Sequence, residues 1–544
     1  MSKKKRCQIV LIGGIILFLV VFLNGQEKGV NSINVEEMAF HLRFLSAEEF
    51  QGRWAPSFEL KIASRYIALL MGEYGLQSLM PDGSYFQSIP MMVTRVSEPD
   101  TKIRVTSELQ DQIFHFPKGF GIQKWTVKPG EYSGEIVFVG YGIEAPDLGW
   151  DDYTGMNLKN KIVVMLDGDL PEDHAIMNDL NSRYLWQRRI IPFQKGAVAV
   201  LSVISEERQK RFEERGFIFD NSGIGRPLDA EIGRPSYASG RPNIHVEIRH
   251  EVAAEILGIS SNTLKEMFNN LKEGHRVSHQ EIHGKKVLIT VQVEEQKDVT
   301  SNVVAYLEGK DPSLKDEYVV FGAHHDHLGV REGKVFCGAD DNISGTVALL
   351  EIAQAFVLER PRRSVVFVWN TAEEQGLLGS RHFVRHCPIP IEKISAQLNL
   401  DMLSRNDPES LYLVGSTQLS SELDDVLKDV NHRFVHMNLD YEYQDPAHYR
   451  SFFYRSDHYP FIEVGIPSVW LFCGTTQDYH QETDTADKAN LKKMEKIARL
   501  TYLAGMEIGN LDQMLKLDIN SSIRTRGMHN LSYDWPQRHP RKTK

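Results

Sequence analysis

The sequence predicts an α/β fold in which helices cover both faces of a mostly parallel mixed sheet, with a second, β-rich domain inserted into it. Three observations support this prediction. Apolar strands alternate with helices after residue 302, short β-rich runs fill the segment from about 130 to 292, and helical patterns precede both. A chain of 544 residues is long enough for two or three domains.

The first residues of the chain have the pattern of a signal peptide. Basic residues at 3–6 precede an uninterrupted apolar run at 9–23. This run is short for a membrane-spanning helix, which needs about 20 apolar residues. We therefore expect residues 1–25 to be a signal peptide that exports the chain to the periplasm or the cell exterior. Attachment to a membrane is expected only if this segment remains as an uncleaved anchor.

Residues 26–129 are expected to form the N-terminal part of the main domain. Apolar residues recur three and four positions apart between 35 and 79, which predicts helices, and Gly75 is typical of a helix end. The sequence DGSYFQSIPMM that follows predicts a turn leading into a strand.

The segment 130–292 is predicted to be a separate, inserted domain. Short β-rich runs such as NKIVVMLDGD and GAVAVLSVIS are separated by turn-rich loops such as APDLGWDDYTGMN. The run HEVAAEILGISSNTLKEMFNNLKEG predicts helix. This segment has no close-set group of histidines and carboxylates, so we expect it to act as a binding or lid domain.

Residues 293–510 are predicted to form the main α/β domain, because strands and helices alternate regularly there. EYVVFGA, SVVFVWN, AQLNLDM and SVWLFCG read as strands, and SGTVALLEIAQAFVLE reads as an amphipathic helix. Strands this apolar are expected in a sheet that helices cover on both faces. Residues 511–544 are polar and basic without a clear period, so we expect an irregular tail.

Charge and cysteine content exclude some classes of protein. The net charge of −11 argues against a general nucleic-acid binder, which would more often be basic. Once the first 25 residues are removed, three cysteines remain, too few and too scattered for a disulfide framework. A single pair among Cys337, Cys387 and Cys473 is left open.

Polar side chains follow four predicted strands and one predicted helix start. In a doubly wound sheet the chemistry gathers beyond the carboxyl ends of the strands, so these residues are expected at one edge. They are His324 and Asp326, the pair Asp340 and Asp341 at the helix start, the pair Glu373 and Glu374, then Asp401 and His480.

The composition of this group predicts a pair of divalent metal ions. So many carboxylates in one place would raise one another's pKa values unless a cation neutralised them, and no run of Lys or Arg lies beside them. Imidazoles and carboxylates without a required cysteine suit zinc better than manganese or cobalt. Two metals need one bridging carboxylate, so the sequence predicts two Zn²⁺ ions.

The adjacent glutamates at 373 and 374 are informative in this setting. Side chains of neighbouring residues point in different directions. One glutamate can therefore bind metal while the other acts as a general base at the open coordination position.

These motifs resemble the di-zinc aminopeptidases of metallopeptidase clan MH, which are related to bacterial leucyl aminopeptidases and to glutamate carboxypeptidase II. The matching motifs are GAHHDHLG, GADDNISGTVALLE, NTAEEQGLLGS, LNLDM, RSDHYPFIEVGIPSV and DYHQETDTADK. They occur in the family's order between about 301 and 509. The resemblance implies the zinc aminopeptidase fold. The inserted segment, with GWDDYTGMNLKNKIVVM, resembles a protease-associated domain.

The resemblance also implies a role for each site residue. One zinc ion would take His324, Asp341 and Asp401, and the other would take Asp341, Glu374 and His480. Glu373 would be the general base, and Asp326 would orient the imidazole of His324. His325 and His327 are not expected to bind zinc, although His327 could line the cleft.

Further expectations from the resemblance concern substrate contacts and activity. Tyr479 would donate to the tetrahedral oxyanion, Arg455 would contact the substrate, and the peptide bond after Asp341 would be cis. The implied activity is removal of N-terminal residues from peptides or small proteins. A carboxypeptidase or dipeptidase on the same scaffold remains an alternative. A non-catalytic peptide-binding protein is less favoured, because no ligand or base is missing.

Overall fold

The computed structural model describes two compact units. It covers residues 28–519, apart from 109–110, 169, 172, 178–182, 216–218, 222, 230–243, 447 and 449, together with residue 526. The first unit contains the described residues up to 91, those of 299–329 and those from 335 onward. The second contains those of 92–298 and 330–334.

Among the described residues, the main elements of the first unit are eight strands and seven helices. The strands, the first two of which continue past its limits, are β1 (Phe86–Val96), β2 (Val293–Leu307), β3 (Tyr318–His324), β4 (Ser364–Asn370), β5 (Ile394–Leu400), β6 (Ser410–Val414), β7 (Asn438–Asp440) and β8 (Ser468–Phe472). The helices are α1 (Val35–Leu45), α2 (Phe58–Glu73), α3 (Gly345–Leu358), α4 (Leu378–Arg385), α5 (Ser421–Val430), α6 (Tyr459–Glu463) and α7 (Leu491–Asn510).

The helical pattern predicted between 35 and 79 forms α1 and α2, and side chains cap both helices. The side chain of Asn34 accepts a hydrogen bond from Glu37 N, and that of Ser57 accepts one from Leu60 N. Such caps satisfy N–H groups that the first helical turn leaves without a partner.

The mostly parallel mixed sheet predicted from the sequence is confirmed. The sheet has nine described strands, in the order Ile224–Pro227, β1, β2, β4, β3, β5, β8, β6 and β7. Strands β4, β3, β5 and β8 are parallel, while β2 and β6 are antiparallel to their neighbours β4 and β8. In register, His324 lies opposite Asn370 and Leu400 lies opposite Leu471. The carboxyl ends of the four parallel strands therefore reach the same edge.

Both faces of this sheet are buried against helices. On one face Val319 and Phe321 pack in a core that also contains residues of α1, α2, α3, α5 and α7. On the other face Val320 and Val366 pack with Phe383 of α4 and other apolar residues. Successive strand residues point to opposite faces, so a strand covered on both sides must be apolar throughout. Each fully buried side chain of this kind stabilises the fold by about 1.5–3 kcal/mol.

Gly345, the first residue of α3, allows this helix to begin against the end of β5. A Cβ atom at this position would overlap the carbonyl oxygen of Leu400. This close approach brings the segment before α3, which contains Asp341, next to Asp401. A larger residue at 345 would force the two carboxylates apart.

The second unit is built on an eight-stranded sheet. In sheet order its strands are Asp111–His115, Lys102–Ser107, Gln280–Val291, Gly130–Phe138, Ile162–Leu166, Ala199–Val203, Ile244–Ile248 and Phe120–Ile122. Its helices are Arg183–Gln187, Ile191–Gln194, Glu206–Arg215, His250–Leu257 and Ser261–Lys272. Short strands elsewhere in the chain are Glu144–Ala145, Trp150–Asp151, Gly329–Arg331 and Lys334–Phe336.

The second unit begins earlier than the sequence suggested. Strand Lys102–Ser107, which we expected in the N-terminal part of the main domain, pairs antiparallel with Gln280–Val291. The unit therefore begins at 92 and ends at 298 rather than running from 130 to 292. The helical run predicted after residue 250 is confirmed as two helices, which are separated at Gly258, a residue in a left-handed conformation with φ of 68°. The identity of this unit as a protease-associated domain stays a prediction.

The expectations for the two ends of the chain lie largely outside the described residues. The predicted signal peptide at 1–25 does so entirely, as does most of the tail predicted at 511–544. Within the described part, no helix combines the length and the apolar character that a membrane crossing requires. Cys337, Cys387 and Cys473 are all free thiols, so the structure contains no disulfide among them.

Glu351 of α3 makes the stability of the first unit depend on pH. Its side chain is completely buried, with Oε2 accepting a hydrogen bond from Asn34 N at 3.0 Å and Oε1 having no hydrogen-bond partner among the described residues. Burial, with a further contribution from Glu37, raises the pKa of this carboxyl from 4.5 to about 8. The folded state thus holds the proton more tightly than the unfolded state, and stability is lost as the pH rises from 4.5 to about 8.

We expect Glu351→Gln to leave stability nearly unchanged at pH 4.5 and to increase it at pH 8.5 by about 1–3 kcal/mol. Glutamine keeps the acceptor for Asn34 but cannot ionise. Thermal unfolding of both proteins at the two pH values tests this. An equal gain at both pH values would show that ionisation of Glu351 is not the cause.

Candidate active site

The carboxyl edge of the parallel strands brings the predicted site residues together. His324 ends β3, Glu373 and Glu374 follow β4, Asp401 follows β5, Asp341 precedes α3, and His480 follows β8. Most of these side chains are buried, whereas that of His480 is 32% exposed. The edge therefore holds the whole predicted set, with His480 on its solvent side.

A first group of ligand atoms forms around His324. Its Nε2 atom lies 3.3 Å from Asp341 Oδ1 and 3.4 Å from Asp401 Oδ1. Ligand atoms bound to tetrahedral zinc at 2.0–2.2 Å lie roughly 3.3–3.5 Å from one another. The spacing of this group fits one such ion.

A second group forms around His480. Its Nε2 atom lies 3.1 Å from Asp341 Oδ2 and 3.3 Å from Glu374 Oε2. Asp341 therefore directs one carboxylate oxygen to each group. This is the arrangement that a carboxylate bridging two metals requires.

Several buried polar atoms at this edge have no hydrogen-bond partner among the described residues. They are His324 Nε2, both ring nitrogens of His327, Glu374 Oε1 and Asp401 Oδ1. A buried polar atom without a partner costs about 1–3 kcal/mol. Metal ions shared by these atoms would satisfy them, and the donor set of imidazoles and carboxylates is one that zinc prefers. The residues thus fit a pair of zinc ions.

The electrostatics of the site favour positive charge. Burial opposes ionisation of His480, but Glu374 and Asp341 raise its pKa to about 9. Burial likewise opposes ionisation of His324, and neighbouring carboxylates including Glu373 raise its pKa well above the ordinary value. Burial acts to raise the pKa of Asp341, yet its contacts with the histidines hold that pKa well below the ordinary range. A divalent metal ion would supply the positive charge that these carboxylates favour.

Asp326 acts differently from the sequence-based expectation. Its carboxylate lies 3.7 Å from His324 Nδ1, which instead has a hydrogen-bond contact of 3.2 Å with the backbone oxygen of Asp326. The carboxylate accepts hydrogen bonds from Glu373 N at 3.1 Å and Glu374 N at 3.4 Å. Asp326 therefore holds the backbone of the two glutamates, while its main chain contacts the histidine.

The two adjacent glutamates point to different groups, as the sequence suggested. Glu374 contacts His480, whereas Glu373 Oε2 lies 3.9 Å from His324 Nε2. Ala372, directly before them, has φ of 53°, a left-handed conformation that is uncommon outside glycine. Burial and the neighbouring carboxylates raise the pKa of Glu373 well above the ordinary value, despite the opposing effect of His324.

Left-handed backbone also occurs beside other ligands. Met402, next to Asp401, has φ of 61°, and His480 has φ of 57°. The peptide bond between Asp341 and Asn342 is cis, as the resemblance implied. The left-handed residues are in a sparsely populated conformation of a kind that clusters at functional sites, where the surrounding fold must hold it.

Tyr479 and Arg455 form the outer rim of the site. The ring of Tyr479 stacks on that of His480, with centroids 3.9 Å apart. Its hydroxyl accepts a hydrogen bond of 2.8 Å from Nη2 of the exposed Arg455. Burial raises the pKa of Tyr479 far above its ordinary value, so the phenol keeps its proton.

Sequence reasoning missed two residues that position the ligands. The hydroxyl of Ser456 donates to Asp401 Oδ2 at 2.5 Å. The carboxylate of Asp484 accepts hydrogen bonds from the backbone of Asp340 and Asp341 at 3.0 and 3.1 Å. Both residues belong to motifs that the sequence highlighted, RSDHYPF and QETDTADK, but no local pattern separates them from ordinary loop residues.

The two remaining histidines of the AHHDHLG motif differ from each other. His325 is buried, with Nδ1 2.7 Å from Asn370 O and Nε2 2.8 Å from Ser64 Oγ, which is a structural role. His327 is also fully buried, but its Nδ1 atom lies 2.8 Å from Glu374 Oε1. It thus lies among the ligands rather than along a cleft.

Comparison with known proteins gives matches over this same segment. Residues 302–504 match peptidase family M28. A probable leucine aminopeptidase 2 of Aspergillus oryzae is 32% identical over 197 residues, which are 34% of this chain and 36% of that protein. A probable glutamate carboxypeptidase AMP1 of Arabidopsis thaliana is 27% identical over 391 residues, covering 66% of this chain and 51% of that protein. The alignments thus span only a third to a half of the length of these relatives.

A solved structure shows the same fold. The zinc aminopeptidase of Bacillus subtilis aligns with a TM-score of 0.54 at 18% identity, covering 90% of this chain and 99% of the other. All the candidate site residues described above lie inside the matched segment. Residues 302–504 are therefore similar to peptidase family M28, and the match covers the whole candidate site.

Proposed function

We propose that the chain is an exported zinc aminopeptidase that holds two Zn²⁺ ions and removes N-terminal residues from peptides or small proteins. The observation that carries this proposal is the position of Asp341, with one carboxylate oxygen 3.3 Å from His324 and the other 3.1 Å from His480. The family match and the aminopeptidases among the relatives support it.

The ligand set divides between two ions. One would be held by His324, Asp341 and Asp401, and the other by Asp341, Glu374 and His480, in agreement with the two groups of short distances. Zinc ions in such sites lower the pKa of water and polarise a substrate carbonyl.

Glu373 is the general base in this proposal. Its carboxylate is almost buried and close to the first group, and it is not needed as a ligand. Its raised pKa suits a group that removes a proton from the attacking water and returns it to the leaving amine. The protonated phenol of Tyr479 would donate a hydrogen bond to the oxyanion that forms at the carbonyl.

Export of the enzyme is proposed from the sequence of residues 1–25, with its basic start and apolar run. The substrates would then be peptides outside the cytoplasm. Contact with a membrane is expected only through this segment, if it is retained. No nucleic-acid partner is proposed for this acidic chain.

A matched set of peptides tests the activity. We expect rapid release of the first residue from a peptide with a free amino terminus, little release from its N-acetylated form, and no effect of amidating its C-terminus. Treatment with a chelator should abolish the activity, and added zinc should restore it. Equal cleavage of the acetylated and free peptides would contradict an aminopeptidase.

A carboxypeptidase or dipeptidase is the second candidate, and Arg455 is the observation that favours it. Its exposed guanidinium lies beside Tyr479 at the rim, where it could bind a free substrate carboxylate. The same peptides separate the candidates. Loss of cleavage on C-terminal amidation, with N-acetylation tolerated, would support the carboxypeptidase, and a requirement for both free ends would support the dipeptidase.

A further inference from the structure

His327 occupies a position that the two proposed ligand sets do not use. Its side chain has no exposed surface, and Nδ1 lies 2.8 Å from Glu374 Oε1 and 4.0 Å from Asp341 Oδ2. Its ring meets that of His480 edge to face, with centroids 5.8 Å apart. His327 therefore approaches the second group of ligands from the buried side, and His480 approaches it from the solvent side.

His327, Asp341 and Glu374 form a group whose ligand atoms lie within 4.8 Å of one another, close enough to hold one metal ion. Neither ring nitrogen of His327 has a hydrogen-bond partner among the described residues, and neither does Glu374 Oε1. Two ligand atoms that share a metal ion lie close together but point at the ion rather than at each other. A bound ion would satisfy both His327 and Glu374 Oε1.

The neighbouring His325 provides a contrast within the same motif. Both of its ring nitrogens have partners, the backbone oxygen of Asn370 and the hydroxyl of Ser64. Burial lowers its pKa to about 3, so it stays neutral. A buried histidine of this segment can therefore have partners for both ring nitrogens. The lack of partners for the ring nitrogens of His327 among the described residues is explained if His327 binds a metal ion.

We propose that His327 is a ligand of the second zinc ion, together with His480, Glu374 and Asp341. This inference rests on the proposed function, since it concerns one of the two ions named there. Four protein ligands are typical of closed zinc sites, whereas three leave an open position for water or substrate. The two sites would then differ: the second holds its ion firmly, and the first, beside Glu373, keeps the open position.

The first test counts imidazoles in the unaltered protein. Chelator-treated protein is loaded with ¹¹³Cd²⁺, and magnetic coupling between the cadmium nuclei and imidazole protons identifies each coordinating histidine. We expect two bound ions and three coupled histidines, two of them on one ion. Two ions with one histidine each would overturn the role of His327 and leave the proposed function intact. Fewer than two bound ions would contradict the proposed function itself.

The second test uses His327→Gln, with His325→Gln as the matched control for loss of a buried histidine in the same motif. We expect His327→Gln to bind its second zinc ion at least about 100-fold more weakly in competition with a chelator, a loss beyond that of many outer-shell changes. The visible spectrum of the Co²⁺-loaded protein should also change. His325→Gln should leave affinity and spectrum unaltered. Weaker binding with an unchanged spectrum would reduce His327 to a positioning residue and overturn the inference.

Discussion

Glu373→Gln is expected to leave both metal sites loaded and to reduce kcat about 10²–10⁴-fold, the usual contribution of a general acid–base group. Glutamine has nearly the same shape and keeps the buried position of the side chain, but it cannot accept a proton. Because Glu373 is not one of the proposed ligands, zinc content should stay at the wild-type value. Steady-state kinetics on a free-amine peptide, combined with elemental analysis, measures both quantities.

The matched control is Glu374→Gln, a change one residue along the same turn. Glu374 lies 3.3 Å from His480 and is a proposed ligand, so this variant should lose affinity for the second ion as well as activity. Excess zinc should restore part of the activity of Glu374→Gln and none of that of Glu373→Gln. If Glu373→Gln kept most of its turnover, the proton would have to be taken by another group.

Asp341→Ala is expected to have the largest effect on metal binding, because Asp341 belongs to both groups of ligands. Its two oxygens lie 3.3 Å from His324 and 3.1 Å from His480. Removing them leaves each ion with one ligand fewer and exposes the remaining carboxylates to mutual repulsion. We expect less than one zinc ion per chain after dialysis and no measurable peptide hydrolysis, by elemental analysis and peptide assay.

Asp340→Asn is the control for this prediction. Asp340 is the neighbouring buried aspartate, but its Oδ1 atom accepts hydrogen bonds from the backbone and hydroxyl of Ser404 at 2.7 and 2.8 Å. Burial raises its pKa to about 7, so a neutral amide is a mild change. This variant should keep its zinc. Equal loss of metal in both variants would mean that the segment before α3 had collapsed, and would not support bridging by Asp341.

The sequence predicted the sheet and the grouping of the candidate ligands at one edge, for a simple physical reason. Buried parallel strands are apolar throughout, so the first polar residues after β3, β4 and β5 stand out, and the register of the sheet brings them together. His324 and Asp401, 77 positions apart, could thus be placed at one edge from the sequence alone.

Other features depend on contacts that no local pattern reveals. The second unit begins at 92 because a strand near 105 pairs with one near 287, and sequence periodicity does not identify partners that far apart. The position of His327 depends on how the chain turns after β3, which side-chain alternation along a strand cannot describe. The sequence predicts that the carboxylate of Asp326 orients the imidazole of His324. In the structure this carboxylate accepts hydrogen bonds from two backbone N–H groups, because those of Glu373 and Glu374 lie closer to it than the imidazole does.

The number of metal ions needed for activity tests the central claim most directly. Protein stripped by a chelator is titrated with zinc while release of the first residue from a free-amine peptide is followed. We expect activity to rise until two ions are bound per chain and then to stay constant, since Asp341 joins two complete groups of ligands. Full activity at one ion per chain would contradict the two-metal site.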